Sequence, residues 1–266
     1  FQPLRLFAKR VLFYDSTALV RDIIMAVRPG NFQQNDTLNR YLLFFPRNAN
    51  ALNDVHSFTG EEALSQPYRY TIRFTSPNAN IPPDAILNQK AEFLLRAPNP
   101  EASWHGQSSW LPVRQINGTI TAFSRVKSSS DEALYECVLE HELALLNRNF
   151  RSAVYTDVTV QEVVTQLMKE SRYFEGFNID FDSLRCTYPR REMIIQWKET
   201  DLEFIRRLLA EVGIWFRLEN HSTTPTETVV IFGDSASRYI ISEKKFPFVR
   251  RSGMTSHDEY VTELEE

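Results

Sequence analysis

The residues best able to do chemistry lie far apart in this sequence. His141-Glu142 opens the H-E-x-x-H pattern, in which two histidines one helical turn apart hold a zinc ion. The second histidine would fall at position 145, which is Leu145. Cys137 and His141 are four residues apart and could share a strand face, but two ligands fall short of the four a structural zinc takes. No metal and no cofactor is expected. There is no G-x-S-x-G elbow for a nucleophilic serine, and five scattered histidines define no triad. Neither G-x-x-x-x-G-K nor G-x-G-x-x-G occurs, so no loop is built to cradle phosphate. Asp180 with Asp182, and Glu61 with Glu62, are carboxylate pairs. A glycosidase needs such groups across a cleft at a set separation, whereas these read as solvated faces. The chain is not expected to be an enzyme.

Charge and composition narrow the remaining roles. The 266 residues carry a net charge of −4, with 42% hydrophobic and 24% charged residues. That balance suits a packed core and leaves no overall basic footprint for nucleic acid. The charge is uneven: residues 1–52 hold seven Lys/Arg against three Asp/Glu, a basic first fifth. The doublets Arg190-Arg191, Arg206-Arg207 and Arg250-Arg251 have acidic neighbours and read as ion-paired surface. Trp104, Trp110, Trp197 and Trp215 read as core or interface anchors. The longest apolar run, residues 41–45, is far below the ~18 needed to span a bilayer. Residues 1–25 carry charge throughout and lack the apolar stretch of a cleaved secretion signal. Cys137 and Cys186 form no disulfide framework and point to a reducing compartment or to two free buried thiols.

The elements divide the chain. Residues 53–150 read as β. Tyr68, Tyr70, Ile72 and Phe74 alternate with Arg69, Thr71 and Arg73. Residues 116–126 and 133–145 flank Ser128-Ser129-Ser130-Asp131 as a hairpin. In residues 133–145, Tyr135, Cys137, Leu139, His141 and Leu143 share one face, and Glu136, Val138, Glu140 and Glu142 share a wet one. Such strands suggest a barrel or sandwich. Residues 151–250 change character. Thr159 to Glu162 and Thr200 to Glu203 are capping boxes, each followed by apolar residues at helical spacing. Gly213 stands where a helix stops. A strand over 192–197 and a hairpin of 214–219 with 228–232 complete an α+β module. Residues 1–52 read as a strand or two joined by loops, or as a basic arm for an acidic partner, and residues 251–266 begin something further.

Three stretches carry a family resemblance. They are Phe58 to Tyr70 (FTGEEALSQPYRY), Asn117 to Phe123 (NGTITAF) and Tyr188 to Ile214 (YPRREMIIQWKETDLEFIRRLLAEVGI). In order and spacing they resemble the N-terminal hub region of VgrG, the spike family of bacterial type VI secretion systems, and its relatives in contractile phage tails. The resemblance runs from about residue 52 to residue 248. It implies an α+β fold: a tube-like β-barrel domain over 53–150 with opening strands from residues 1–52, an α+β module over 151–250, and the start of a second barrel over 251–266. It also implies a homotrimer that docks on the hexameric Hcp tube, with baseplate components around it. A PAAR-type tip and effectors would be carried by parts of the family beyond this sequence, of which the chain then reads as a fragment. A subunit made in the bacterial cytoplasm and exported through the apparatus would follow.

Neighbour or channel-wall contacts are expected at Glu136, Glu140 and Glu142 on the wet strand face. Residues 97–115, rich in proline and holding Trp104 and Trp110, read as a long hairpin loop open to a contact. The rival readings are a phage or prophage tail baseplate hub, a carbohydrate-binding module using those tryptophans, and an enzyme.

Overall fold

The computed structural model describes residues 39–48, 53–99, 110–174, 178–222, 224 and 226–239. Residues 1–38, Trp104 and residues 240–266 lie outside these, and with them the Arg250-Arg251 doublet and the expected second barrel.

Six strands form the first unit: β1 (Tyr41–Phe44), β2 (Asp54–Glu61), β3 (Arg69–Ser76), β4 (Lys90–Pro98), β5 (Trp110–Ser128) and β6 (Ala133–Glu140). They hydrogen-bond in the order β1-β4-β5-β6-β3-β2, with every pairing antiparallel. The period-two pattern of β3 is realised: Tyr70, Ile72 and Phe74 are buried while Arg69 and Arg73 are exposed. The sheet curls until its edge strands face each other. The Tyr41 ring on β1 meets Phe58 on β2 edge-on at 5.1 Å. Asn53 Nδ2 donates to the Leu43 carbonyl at 3.0 Å. Closure therefore rests on side chains rather than on a backbone ladder, over a core of Ile72, Phe74, Phe93, Ile120 and Leu139.

The second unit holds β7 (Phe150–Val158), α1 (Val160–Glu170), β8 (Ile179–Ser183), β9 (Arg191–Thr200), α2 (Asp201–Val212), β10 (Trp215–Asn220) and β11 (Thr228–Gly233). β7 and β9 make a two-stranded antiparallel ribbon. The remaining strands form a sheet in the order β10-β11-β8, with β8 parallel to β11. Both capping boxes form. Thr159 and Thr200 accept from the N3 amides, and Glu162 and Glu203 reach back to the cap amides. The buried stripes of α1 (Val163, Val164, Leu167) and α2 (Phe204, Ile205, Leu208) meet in a core with Phe216, Val230 and Phe232.

Four sequence expectations need correction. The strand expected over 133–145 ends at Glu140, where the chain turns into a 3-10 segment, Glu142–Arg148. The loop expected over 97–115 is shorter: β4 runs to Pro98, which pairs with Trp110 at the start of β5. Cys186 is exposed rather than buried, while Cys137 is buried, and neither is in a disulfide. The strand β7 was not foreseen, because its outward residues include Phe150 and Val154 and mask the alternation that betrays a half-buried strand.

Two glycines separate backbone strain from crowding. Gly213 ends α2 in a left-handed conformation (φ 74°) with open space where a Cβ would stand. At Gly118 a Cβ would lie 2.3 Å from the Glu140 carbonyl oxygen. Gly213→Ala is expected to lower unfolding free energy by about 1 kcal/mol. Gly118→Ala should cost several times more, because β5 and β6 must separate. Urea denaturation of the two variants checks the ranking.

Candidate functional site

The candidates chosen from sequence do not converge on one place. Glu136 and Glu140 lie four apart on β6 and form cross-strand ion pairs with β3: Arg73 Nε reaches Glu136 at 2.7 Å and Arg69 Nη1 reaches Glu140 at 3.2 Å. Glu140 also accepts from the Thr121 hydroxyl. These pairs hold a charged ladder on the barrel's outer surface, each contributing ~0–1 kcal/mol. Glu142 is not on that face. It is buried in the 3-10 segment, where it accepts from Thr228 Oγ1 at 3.2 Å. The strand register is lost at His141, which caps the segment: its Nδ1 accepts from the Leu143 amide at 3.0 Å. Trp110 is half-buried at the start of β5, in the half of that strand that pairs with β4 rather than with the glutamate-bearing β6, and Trp104 lies outside the described residues.

What the fold does bring together is a polar seam between the two units. Tyr68, just before β3, donates to the Asn117 carbonyl. Asn117 Nδ2 crosses to Asn220 Oδ1 on β10 at 3.1 Å, and Asn220 Nδ2 returns to the Gln115 carbonyl at 2.9 Å. Ser65, in a left-handed conformation (φ 59°), bonds Phe216 twice. Its amide donates to the Phe216 carbonyl at 2.9 Å, and its hydroxyl accepts from the Phe216 amide at 3.2 Å. Lys90 pairs with Glu227 at 2.8 Å and Arg148 donates to Asn88 at 2.8 Å. Beside the seam, Glu62 takes Arg114 at 2.5 Å and the Tyr70 hydroxyl. Burial, with Glu62 nearby, holds the Tyr70 and Tyr68 phenols protonated well above their ordinary range.

His141 is at the centre of this seam. Its ring meets Tyr68 of the first core edge-on at 5.4 Å and stacks near Phe174 of the second at 6.2 Å. The imidazole is fully buried and its Nε2 has no hydrogen-bond partner. Burial lowers its pKa to about 4, against an opposing effect of Glu142, whose Oε2 is 4.0 Å away. Burial likewise raises the Cys137 thiol to about 12, aided by Glu136, so it stays protonated and unreactive at neutral pH. Among the described residues no group of three or more His, Cys, Asp or Glu side chains is placed to hold a metal. Asp180 and Asp182 do not face each other across a cleft; Asp180 accepts from the Asp182 amide at 2.7 Å.

The comparisons fit this arrangement. The sequence model of the phage tail baseplate hub (GPD) family matches residues 61–266. The chain belongs to that family. It is 28% identical over 207 residues to the type VI secretion system spike protein VgrG5 of Pseudomonas aeruginosa, covering 76% of this chain and 23% of that protein. It is 24% identical over 220 residues to the spike protein VgrG3 of Vibrio cholerae, covering 79% and 20%. A further relative, 25% identical over 193 residues, is the actin cross-linking toxin VgrG1 of Vibrio cholerae, covering 69% and 16%. Among solved structures, the E. coli c3393 protein matches with a TM-score of 0.65 and 35% identity over 79% of this chain and 53% of that one. It is described as a type VI secretion component structurally similar to the T4 tail proteins gp27 and gp5. The chain thus spans between 16% and 23% of the length of these curated relatives.

In this hub-family chain, the stretches that carried the resemblance are the seam and the second core. Glu62 and Ser65 come from the first stretch, Asn117 and Gly118 from the second, and β9, α2 and Gly213 from the third. The sequence marked His141 only as a metal-ligand candidate, because its place between the two units, like the bonds of Asn220 to Asn117 and Gln115, depends on residues far apart in the chain.

His141 sets a pH dependence with a definite sign. An unfolded histidine titrates near 6.5 and the folded one at about 4, so between those values the unfolded chain binds the extra proton. Stability is complete above pH 6.5 and falls as pH drops towards 4. From pH 7 to pH 4.5 this residue should remove about 2 kcal/mol. His141→Asn keeps a capping acceptor and should flatten that part of the fall, read as the difference between the two proteins' urea midpoints at each pH.

Proposed function

We propose that the chain is a structural hub subunit of a type VI secretion spike. It assembles as a homotrimer, caps the end of a hexameric tube of Hcp type and is driven with it through a target membrane. The similarity in fold and sequence to the E. coli secretion component is the observation that carries this reading. The spike names of its relatives support it. The effectors, PAAR-type tip and baseplate contacts of the whole machine belong to the same proposal. So does a cytoplasmic origin with export through the apparatus. The chain's role is mechanical rather than catalytic. The toxin name of one relative belongs to a protein of which this chain spans 16%. A phage or prophage baseplate hub is the second reading, favoured by the family's own description.

The test is assembly. The purified chain mixed with the tube protein encoded beside it should form end-capped tubes by negative-stain electron microscopy. Deleting its gene should abolish release of that tube protein into the medium. Normal tube release without the gene, together with loss of phage particles, would favour the baseplate reading.

A further inference from the structure

The β7–β9 ribbon has two unlike faces. Its inner face sets Tyr155 and Ile194 against the second core. Its outer face presents Phe150, Val154, Met193, Ile195 and Trp197, which are 43% to 68% exposed. Together they offer on the order of 600 Å² of apolar surface, at the upper end of the largest patch on a typical monomer. The most exposed member, Trp197, sits at a bulge. Arg151 pairs with Glu199 and Ala153 with Gln196, so Ser152 faces both Trp197 and Lys198. Lys198 takes a left-handed conformation (φ 47°), and its amide donates to Ser152 Oγ at 3.1 Å. A bulge of this kind re-aims a side chain, and backbone strain held in place points to use.

The charges around the patch are balanced. Arg190 pairs with Asp157 and Glu162, Arg191 with Glu211, and Arg207 with Glu199. The exposed Lys198, whose Nζ lies over the Trp197 ring at 5.5 Å, and Glu192 are one of each sign. Nothing here draws a polyanion or a charged membrane; the patch suits an apolar protein surface of similar neutrality. Such a surface exists elsewhere on the same chain. A groove of about 380 Å³ runs beside Leu64, between the loop after β2 and the exposed side of α2. Leu209, Ala210, Ile214 and Phe216 line it, with Glu203, Arg206 and Arg207 at its rim. It offers an indole an apolar seat and guanidinium faces to stack on.

We infer that Trp197 and its apolar neighbours on one copy of this chain pack into the Leu64 groove of the next, a head-to-tail contact between copies. Two different patches on one chain make a heterologous interface, which closes into a ring when the rotation permits. The area approaches the ~800 Å² per partner of a standard stable interface. The inference rests on the hub reading and names the surfaces through which its copies meet.

Sedimentation equilibrium of the full chain over a concentration series tests it, with Trp197→Ala and Ala210→Glu, both at exposed positions, checked for native circular dichroism. Each variant should weaken self-association at least ~30-fold. An equimolar mixture should recover a one-to-one dimer, because one variant keeps the groove and the other keeps the indole. Association untouched by either variant overturns the contact and leaves the hub reading standing. Loss with Trp197→Ala alone means ribbon meets ribbon, and overturns the groove as its partner. A wild-type chain monomeric throughout overturns the inference, and tube capping, measured separately, tells whether the hub reading falls with it.

Discussion

The junction at His141 is the constraint on which the rest of the structure depends. A six-stranded sheet ends at Glu140 and a second core begins at Leu143. Within two residues the backbone must leave one ladder, turn and enter a 3-10 segment. An imidazole does this by accepting from the Leu143 amide while filling the space between Tyr68 and Phe174. A neutral ring suits all three demands, whereas a charged one would be stranded without water or a bonded counterion. Around it, Asn117 with Asn220 and Ser65 with Phe216 convert a covalent joint into a broad polar contact. Two units with separate cores thereby share one orientation.

Local features were the ones readable in advance. The capping boxes at Thr159 and Thr200, the stop at Gly213 and the alternation of β3 depend on residues within a few positions of each other, and all are found. The end of β6 was misread because alternation alone would continue through His141 and Glu142. Only the second core, distant in sequence, draws Glu142 inward to Thr228. β7 was missed for the opposite reason, since its apolar residues point outward and spoil the pattern that burial would write. The seam was illegible for a simpler cause: Asn117 and Asn220 are 103 residues apart. The family resemblance located the stretches but not the bonds they make.

The arginines illustrate how the surface is kept neutral without being bland. Arg207 ties α2 to β9, reaching the Ile195 carbonyl at 2.9 Å as well as Glu199 and Glu211. Arg190 draws the start of α1 to the chain entering β9 through Glu162 and Asp157. Individually such exposed pairs add little to stability. As a set they tie the helices to the ribbon and hold the arginines at its rim.

One strand is much longer than its partners. β5 runs for 19 residues, roughly 60 Å at the usual rise. Its first half pairs with β4 and its second half with β6, overlapping only near Thr119. It therefore works as a splice between two hairpins. A pull along its axis loads both ladders in shear, so that many cross-strand hydrogen bonds, which lie perpendicular to the strands, must yield together. A barrel joined by such a splice resists lengthwise stretching far better than it resists peeling at its side-chain-closed edge.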